Sequence, residues 1–443
     1  MKTNTKSKAP AVHTHGGAPA AYNPDAYAQL RRSVLSCLLF EDTYYEDGKS
    51  IADRISDLAA HIEVRKLADL AIEARTVHNL RHVPLLLLCA LVKRGGSVVG
   101  LTIEQVIQRA DELSEFLALY WKQNGGKKTL SKQVKLGLAR AFRKFDAYQL
   151  AKYNRDADVK LRDVLFLVHA KPKDEPQAVT WKHLVEGTLK TPDTWEVELS
   201  AGKGEGKRES WERLLNEGKL GYFALLRNLR NMLEAGIDPA VLARHIALRK
   251  RGAEKVLPFR YVAAMRAAPS MAPALDASLA MGLADTPKFK GSTLVLVDVS
   301  GSMDAKISQK SDLSRADAAA AVAALFHGEH VRVFTFSNSL VEVPAWRGLA
   351  GIDGILKSQP HGGTELAEAV TLANQFKADR IVVITDEQAT DGHVPAPAAP
   401  LAYLVNVAPY QHGVNFGGRW TQVNGFSEGI LRWMAAIESD VYV

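Results

Sequence analysis

A chain of 443 residues can hold two or three domains, and 47% hydrophobic with 24% charged content is the balance of a globular protein. No apolar run approaches the ~18–20 residues that cross a bilayer, and the longest, Val83 to Val92, carries Pro84; no membrane partner is expected. Two cysteines, Cys37 and Cys89, exclude a disulfide framework and read as buried reduced thiols of a cytoplasmic protein.

The net charge of +7 is unevenly spread: from residue 291 onward 10 Lys and Arg face 16 Asp and Glu. Subtracting these from the chain totals of 56 and 49 leaves 46 against 33 for residues 1–290. A basic first two thirds favours a polyanionic partner for that part.

Residues 1–24 are rich in Ala, Lys, Thr, Gly and Pro and lack the apolar core of a signal peptide, so a disordered tail is expected. Residues 26 to about 285 carry helical periodicity nearly throughout. Amphipathic segments recur at 64–76, 80–93, 102–122, 131–146, 160–170, 208–216, 219–234, 238–250 and 257–267. Short Gly- or Pro-bearing connections join them, such as Gly95-Gly96 and Gly125-Gly126. Antiparallel helix pairs of this size predict an α-solenoid of HEAT-like pairs over 25–288, with a plain helical bundle as the alternative. The segment Ala201 to Arg208 is a low-complexity loop, and its glycine spacing is wrong for a phosphate-binding P-loop.

The densest basic region runs from Lys122 to Arg155, with ten Lys or Arg and one acid, Asp146. At about 100° per residue, Lys132, Lys135, Arg140, Arg143 and Lys144 fall on one side of a helix. Val134, Leu138, Ala141, Phe142 and Phe145 fall on the other, which docks that side inward. Ordinary exposed helix faces mix signs through i,i+4 pairing. A face almost without acids suits phosphate neutralisation with counterion release.

Near Pro287 to Ser292 the pattern changes to alternating strand and helix. Strands are expected at 293–298, 331–336, 381–385 and 401–407, and helices at 314–326, 364–376 and 427–438. That rhythm predicts a doubly wound parallel sheet over 289–443. Asp298-Val-Ser300-Gly-Ser302 follows the first strand, where open α/β sheets place ligands. Thr364 follows Gly362-Gly363 at a helix start, and Asp386 ends another strand. One carboxylate and two hydroxyls on a strand end, joined by a threonine and a second aspartate, are hard oxygen ligands for Mg²⁺ or another divalent cation. The set resembles the metal-ion-dependent adhesion site of von Willebrand factor A domains.

The whole chain from about 26 to 438 resembles the Ro autoantigen, or TROVE, family of RNA-binding proteins in its bacterial or phage form. The residues that carry this include Thr43-Tyr44-Tyr45, the stretch from Lys152-Tyr153 through Arg162-Asp163 to His169-Ala-Lys-Pro172, and Trp211-Glu-Arg-Leu-Leu215. Ala224-Leu-Leu-Arg-Asn-Leu229, Pro258-Phe259 and the Asp298 motif follow in order. The resemblance implies a ring of HEAT-like repeats closed by the sheet domain. Small noncoding Y RNA would bind an outer basic surface, and single-stranded 3′ ends of misfolded RNA the central hole. The implied role is RNA quality control by a monomer, with an exoribonuclease joined through an RNA tether. By position, Lys152 and His169 match residues that contact Y RNA in the family; a third position, basic elsewhere, is Asp156 here, beside Arg155.

Two other functions fit the same residues. The metal site alone would make a protein-adhesion module with an incidental basic surface. A metal-dependent hydrolase would need a second carboxylate cluster or an adjacent general base, and the motif supplies neither. A non-catalytic RNA-binding protein is therefore the expected function. His327 and His330 lack zinc-type companions, and His13 and His15 lie in the expected tail.

Overall fold

The structure is a computed structural model that describes residues 12–20, 25–37, 43, 45–190, 195, 206–250, 252–256, 258–282, 286–307, 312–346, 348–414, 418–425 and 429–441. Tyr44 and most of the 201–208 loop lie outside these residues. The chain divides into two compact units: residues 52–256 with 263–278, and residues 1–51 with 257–262 and 279–443.

The first ten helices are α1 (Ala26–Leu35), α2 (Gly48–His61), α3 (Val64–Thr76), α4 (His82–Arg94), α5 (Val98–Val106), α6 (Ala110–Gln123), α7 (Lys132–Phe142), α8 (Ala147–Tyr153), α9 (Leu161–Val168) and α10 (Glu175–Glu186). Side-chain caps open several of them. Glu63 accepts the Arg65 and Lys66 amides to open α3, and the Ser131 hydroxyl accepts the Val134 amide to open α7. The 102–122 segment, expected as one helix, divides into α5 and α6. The Glu112 carboxylate accepts the amides of Gln108 and Arg109 at 2.8 and 3.0 Å, which caps a new helix there.

In the helical unit α3 packs on α5, α5 on α7 and α7 on α9, while α4 packs on α6 and α6 on α8. Successive pairs thus stack in two layers, as an α-solenoid of HEAT-like pairs requires. Small residues set the α5–α7 spacing: a Cβ on Gly137 would lie 2.6 Å from the Gly100 carbonyl oxygen. The unit continues through helices Lys207–Asn216, Tyr222–Arg227, Leu229–Glu234 and Pro239–Leu248. The expected 219–234 helix breaks at buried Asn228, whose Nδ2 donates to the Ala224 carbonyl at 2.9 Å.

The second unit is a six-stranded sheet of β1 (Phe289–Asp298), β2 (Gly328–Phe336), β3 (Leu340–Val343), β4 (Arg380–Thr385), β5 (Leu401–Asn406) and β6 (Thr421–Asn424). The order is β3-β2-β1-β4-β5-β6, parallel except for β3. Alternation along β1 sends Leu294 and Leu296 to a core shared with Leu366, Ala369 and Val370 of the helix Leu366–Ala373. The helix Arg315–Ala323 packs on β1 and β4 with every residue buried, and its six alanines permit the close approach. The expected strands are all present. β3 and β6, four residues each, carry too few alternating positions to be read from sequence.

The sheet unit also holds the N-terminal region, which corrects the expected division at 24/25 and 288/289. Ala18 is 1% exposed within the sheet's apolar core. The Thr14 hydroxyl and the Ala18 amide both donate to the Ala389 carbonyl. Residues 12–20 are therefore folded against the sheet rather than a tail, because small residues and backbone groups dock there without an apolar run. Helix α1 joins them, with Leu30, Val34 and Leu35 buried.

Candidate metal centre and cationic face

Asp298 ends β1 and Thr385 ends β4, two neighbouring parallel strands in which Val297 pairs with Ile384. Chain progression reverses direction at this pair, since β2 lies on one side of β1 and β4 on the other. Such a switch opens a crevice at the carboxyl ends. The Ser300 amide donates to Asp298 Oδ1 at 2.9 Å, and the Thr385 hydroxyl donates to Oδ2 at 2.5 Å. Ser300 and Ser302 face each other, Oγ to Oγ, at 3.3 Å. Asp298, Ser300 and Asp386 are wholly buried, and Ser302 and Thr364 nearly so.

Thr364 stands on a loop tied to both aspartate segments. The Gly301 amide donates to the Gly362 carbonyl at 2.9 Å, and the Thr390 amide donates to the Thr364 carbonyl at 2.9 Å. Behind that loop, the Gly363 amide donates to Asn338 Oδ1 and the Gly362 amide to the Ser337 hydroxyl. A Cβ on Gly362 would lie 2.5 Å from Asn338 Nδ2, so only glycine fits this approach.

Electrostatics fit these residues to a cation. Burial, then the nearby Asp386 charge, pushes the Asp298 carboxyl up to about 7. Burial raises Asp386 too, opposed by the Ser302 hydroxyl, the Gln388 amide and the charges of Arg315 and Arg32. Asp386 Oδ2 is buried without a hydrogen-bond partner among the described residues. Two buried carboxylates with an unpartnered oxygen, set among hydroxyls, are relieved by a hard divalent ion. Among the described residues no cluster of three His, Cys, Asp or Glu offers a competing site.

The cationic face stands on α7 to α10. Val134, Leu138, Ala141, Phe142 and Phe145 are buried as expected, which turns Lys132, Arg140 and Arg143 outward and leaves Lys135 half-buried. Lys152 and Arg155 follow at the end of α8, and His169 is exposed as the left-handed C-cap of α9. Lys171 and Lys173 extend the exposed cations. Arg143 Nε donates to the Lys171 carbonyl at 2.7 Å, which fixes the loop carrying them. A pocket of about 220 Å³ opens here, lined by Arg143, Lys173, Gln177 and Thr180 among others. Asp156 is neutralised by Lys160 at 2.6 Å.

Lys144 is the exception. Its ammonium donates to the carbonyls of Glu104 and Ile107, at the end of α5, and is withdrawn from the face. Burial there pushes its pKa down. Free carbonyls at a helix C-terminus attract a cation more strongly than solvent does.

Comparison with known proteins gives the chain its place. Residues 181–264 match the TROVE domain family, and residues 293–388 match the von Willebrand factor type A domain family. The crystal structure of Deinococcus radiodurans RO (RSR) protein superposes with a TM-score of 0.57, covering 93% of this chain and 99% of that one at 18% identity. Telomerase protein component 1 of Mus musculus is 42% identical over 82 residues, 17% of this chain and 3% of its own length. The Rattus norvegicus protein of that name is 51% identical over 51 residues, 11% of this chain and 2% of its own. This chain therefore spans only a few hundredths of those two relatives. Its helical unit is thus similar to TROVE domains and its sheet unit to von Willebrand factor type A domains.

Sequence reasoning missed several residues of both sites. Thr385, which orients Asp298, reads as an ordinary β-branched strand residue. Arg32, buried beside Asp386, sits in a helix with no motif to mark it. On α9, Phe166 is 58% exposed, one turn from Arg162 and one turn from His169. The apolar run Val164–Val168 made it look like core, yet its ring is exposed among cations.

Proposed function

We propose that this chain is a non-catalytic RNA-binding protein that grips structured small RNA on the cationic face of α7–α10. The observation that carries this reading is the segregation on α7: a wholly apolar buried side, and an outward side of Lys132, half-buried Lys135, Arg140 and Arg143, of which Arg140 alone is ion-paired among the described residues, to Glu104 at 3.8 Å. An excess of cations over acids on one face suits a polyanion. The TROVE domain match and the fold shared with the Deinococcus protein support the finer reading: a Y-like RNA on this face, single-stranded ends of misfolded RNA in a central hole, and an exoribonuclease tethered through RNA. The work would be RNA quality control in the cytoplasm by a monomer.

Asp298, Ser300, Ser302, Thr364 and Asp386 would hold one Mg²⁺ or similar ion. When bound, the ion supplies a Lewis-acidic coordination position suited to a partner's carboxylate. Ser300 and Ser302 present their hydroxyls side by side, and Thr385 and the Ser300 amide orient Asp298. Glu387, the next carboxylate in the chain, is wholly buried and ion-paired with Arg32. That favours holding over hydrolysis.

The test is charge reversal at Lys132, Lys135 and Arg155, with binding of a structured small RNA measured across salt concentrations. Each lost phosphate contact flattens the log–log salt slope by about 0.7 to 0.9, so the triple variant is expected to lose roughly two to three units of slope and to bind far more weakly. An unchanged slope and affinity would remove the RNA reading. A stoichiometric protein co-purifying in place of nucleic acid would favour the adhesion module instead.

A further inference from the structure

Asp386 is held from behind by the N-terminal region of the chain. Arg32 of α1 is wholly buried. Its Nε donates to the Tyr410 carbonyl at 2.8 Å, its Nη1 to Glu387 Oε1 at 2.5 Å, and its Nη2 to the Asp386 carbonyl at 3.4 Å. Glu387 adopts φ +62°, a left-handed conformation that a glutamate accepts only where its surroundings hold it. Gly413 is packed so tightly against this pair that a Cβ would lie 2.3 Å from Glu387 Oε2 and 2.6 Å from Arg32 Nη1.

The residues after Glu387 are pinned by the same region. Gln388 donates its amide to Asp386 Oδ1 at 3.0 Å, and its side-chain oxygen accepts the His15 amide at 2.7 Å. Gly16 lies where a Cβ would stand 2.3 Å from the Gln388 carbonyl oxygen, and Thr14 bonds the Ala389 carbonyl. Thr390 then bonds the Thr364 carbonyl through both its amide and its hydroxyl. From Asp386 to Thr390 the backbone is thus fixed at one end by residues 14–32 and at the other by the loop of a second candidate metal ligand.

We infer that Arg32 and the 12–20 segment are positioning elements of the metal centre, holding Glu387 in its left-handed turn so that Asp386 faces Ser302. The inference rests on the metal reading above. Coupling between two sites is reciprocal: the ion, once bound, tightens the docking of residues 12–20, and their undocking weakens the ion.

The experiment titrates the full-length chain with Mg²⁺ and Mn²⁺ by calorimetry and follows amide exchange at residues 14–20. Two variants are compared with the wild type. Arg32→Met combined with Glu387→Met removes both buried charges together, which spares the fold an unpaired ion. Gly16→Val blocks docking of the segment at the surface. Binding of one ion by the wild type, weakened at least about tenfold in both variants, with Mg²⁺ slowing exchange at 14–20, is the expected result. Wild-type binding with both variants within about twofold would overturn the inference and leave the metal site standing. No ion binding by the wild type would overturn the metal reading, and the inference with it.

Discussion

Lys144 and its neighbour Arg143 show how one atom's surroundings decide a residue's role. Both were expected on the RNA-facing side, one residue apart on a basic helix. Arg143 remains exposed, while the Lys144 ammonium caps the carbonyl end of α5. Lys144→Met should therefore lower stability by about 1–2 kcal/mol, the upper range for a cation at a helix C-terminus. RNA affinity should change by less than about twofold, since no phosphate contact is lost. Thermal denaturation beside an RNA titration checks this. A variant with native stability and much weaker RNA binding would return Lys144 to the face.

The residues of the candidate metal centre divide in the same way between legible and hidden. Asp298, Ser300 and Ser302 declared themselves because a strand end, a carboxylate and two hydroxyls stand within five residues. Thr385 and Arg32 act on the same centre through contacts made across 87 and 354 or more residues of chain, and no local pattern announces those. Periodicity reports which side of a helix is buried. It does not report what the buried side touches.

At the scale of elements, the cationic face depends on how closely α7 approaches α5. Gly137 and Gly100 allow a spacing that no side chain would, and the five buried apolar residues of the α7 region supply the adhesion, roughly 1.5–3 kcal/mol for each large side chain. Gly137→Ala sets two effects against each other. Alanine is the better helix former by about 1 kcal/mol, but its Cβ would meet the Gly100 carbonyl oxygen at 2.6 Å. Overpacking of that kind costs about 1–3 kcal/mol, so net destabilisation is expected in a denaturant titration. Stabilisation would mean the two helices are not in close contact.

Element boundaries were less legible than elements. α3 and α9 lie within a residue or two of the expected segments, because their apolar stripes are uninterrupted. The 102–122 and 219–234 segments each became two helices, because a capping glutamate in one and a buried asparagine in the other redirect the chain without disturbing the apolar spacing. Thr364 lies two residues before its helix, which starts at Leu366, and belongs to the glycine loop. The N-terminal residues were read as a tail on composition alone. Their docking uses backbone groups, Ala18 and a glycine, none of which carries a hydrophobic signal.

At the scale of the molecule the account divides labour between the two units. In the proposed reading the helical unit would offer phosphate contacts from α7–α10, and the sheet unit, which includes the N-terminal region, would offer a hard-ion site. The TROVE domain match and the charge asymmetry are independent arguments for the first role. The unpartnered Asp386 oxygen is the argument for the second. If the roles are separate, removing the ion's ligands should leave the RNA's position untouched.

The most direct measurement is a crosslink map: a structured small RNA carrying photoreactive uridines, irradiated with the full-length protein and read out by mass spectrometry. The map is made for the wild type and for Asp298→Ala. Crosslinks concentrated in α7, the end of α8 and the α9–α10 stretch, Phe166 and His169 included, are expected, with the same map in both proteins. Crosslinks confined to residues 289–443, or an α7–α10 signal that vanishes with Asp298, would contradict the account.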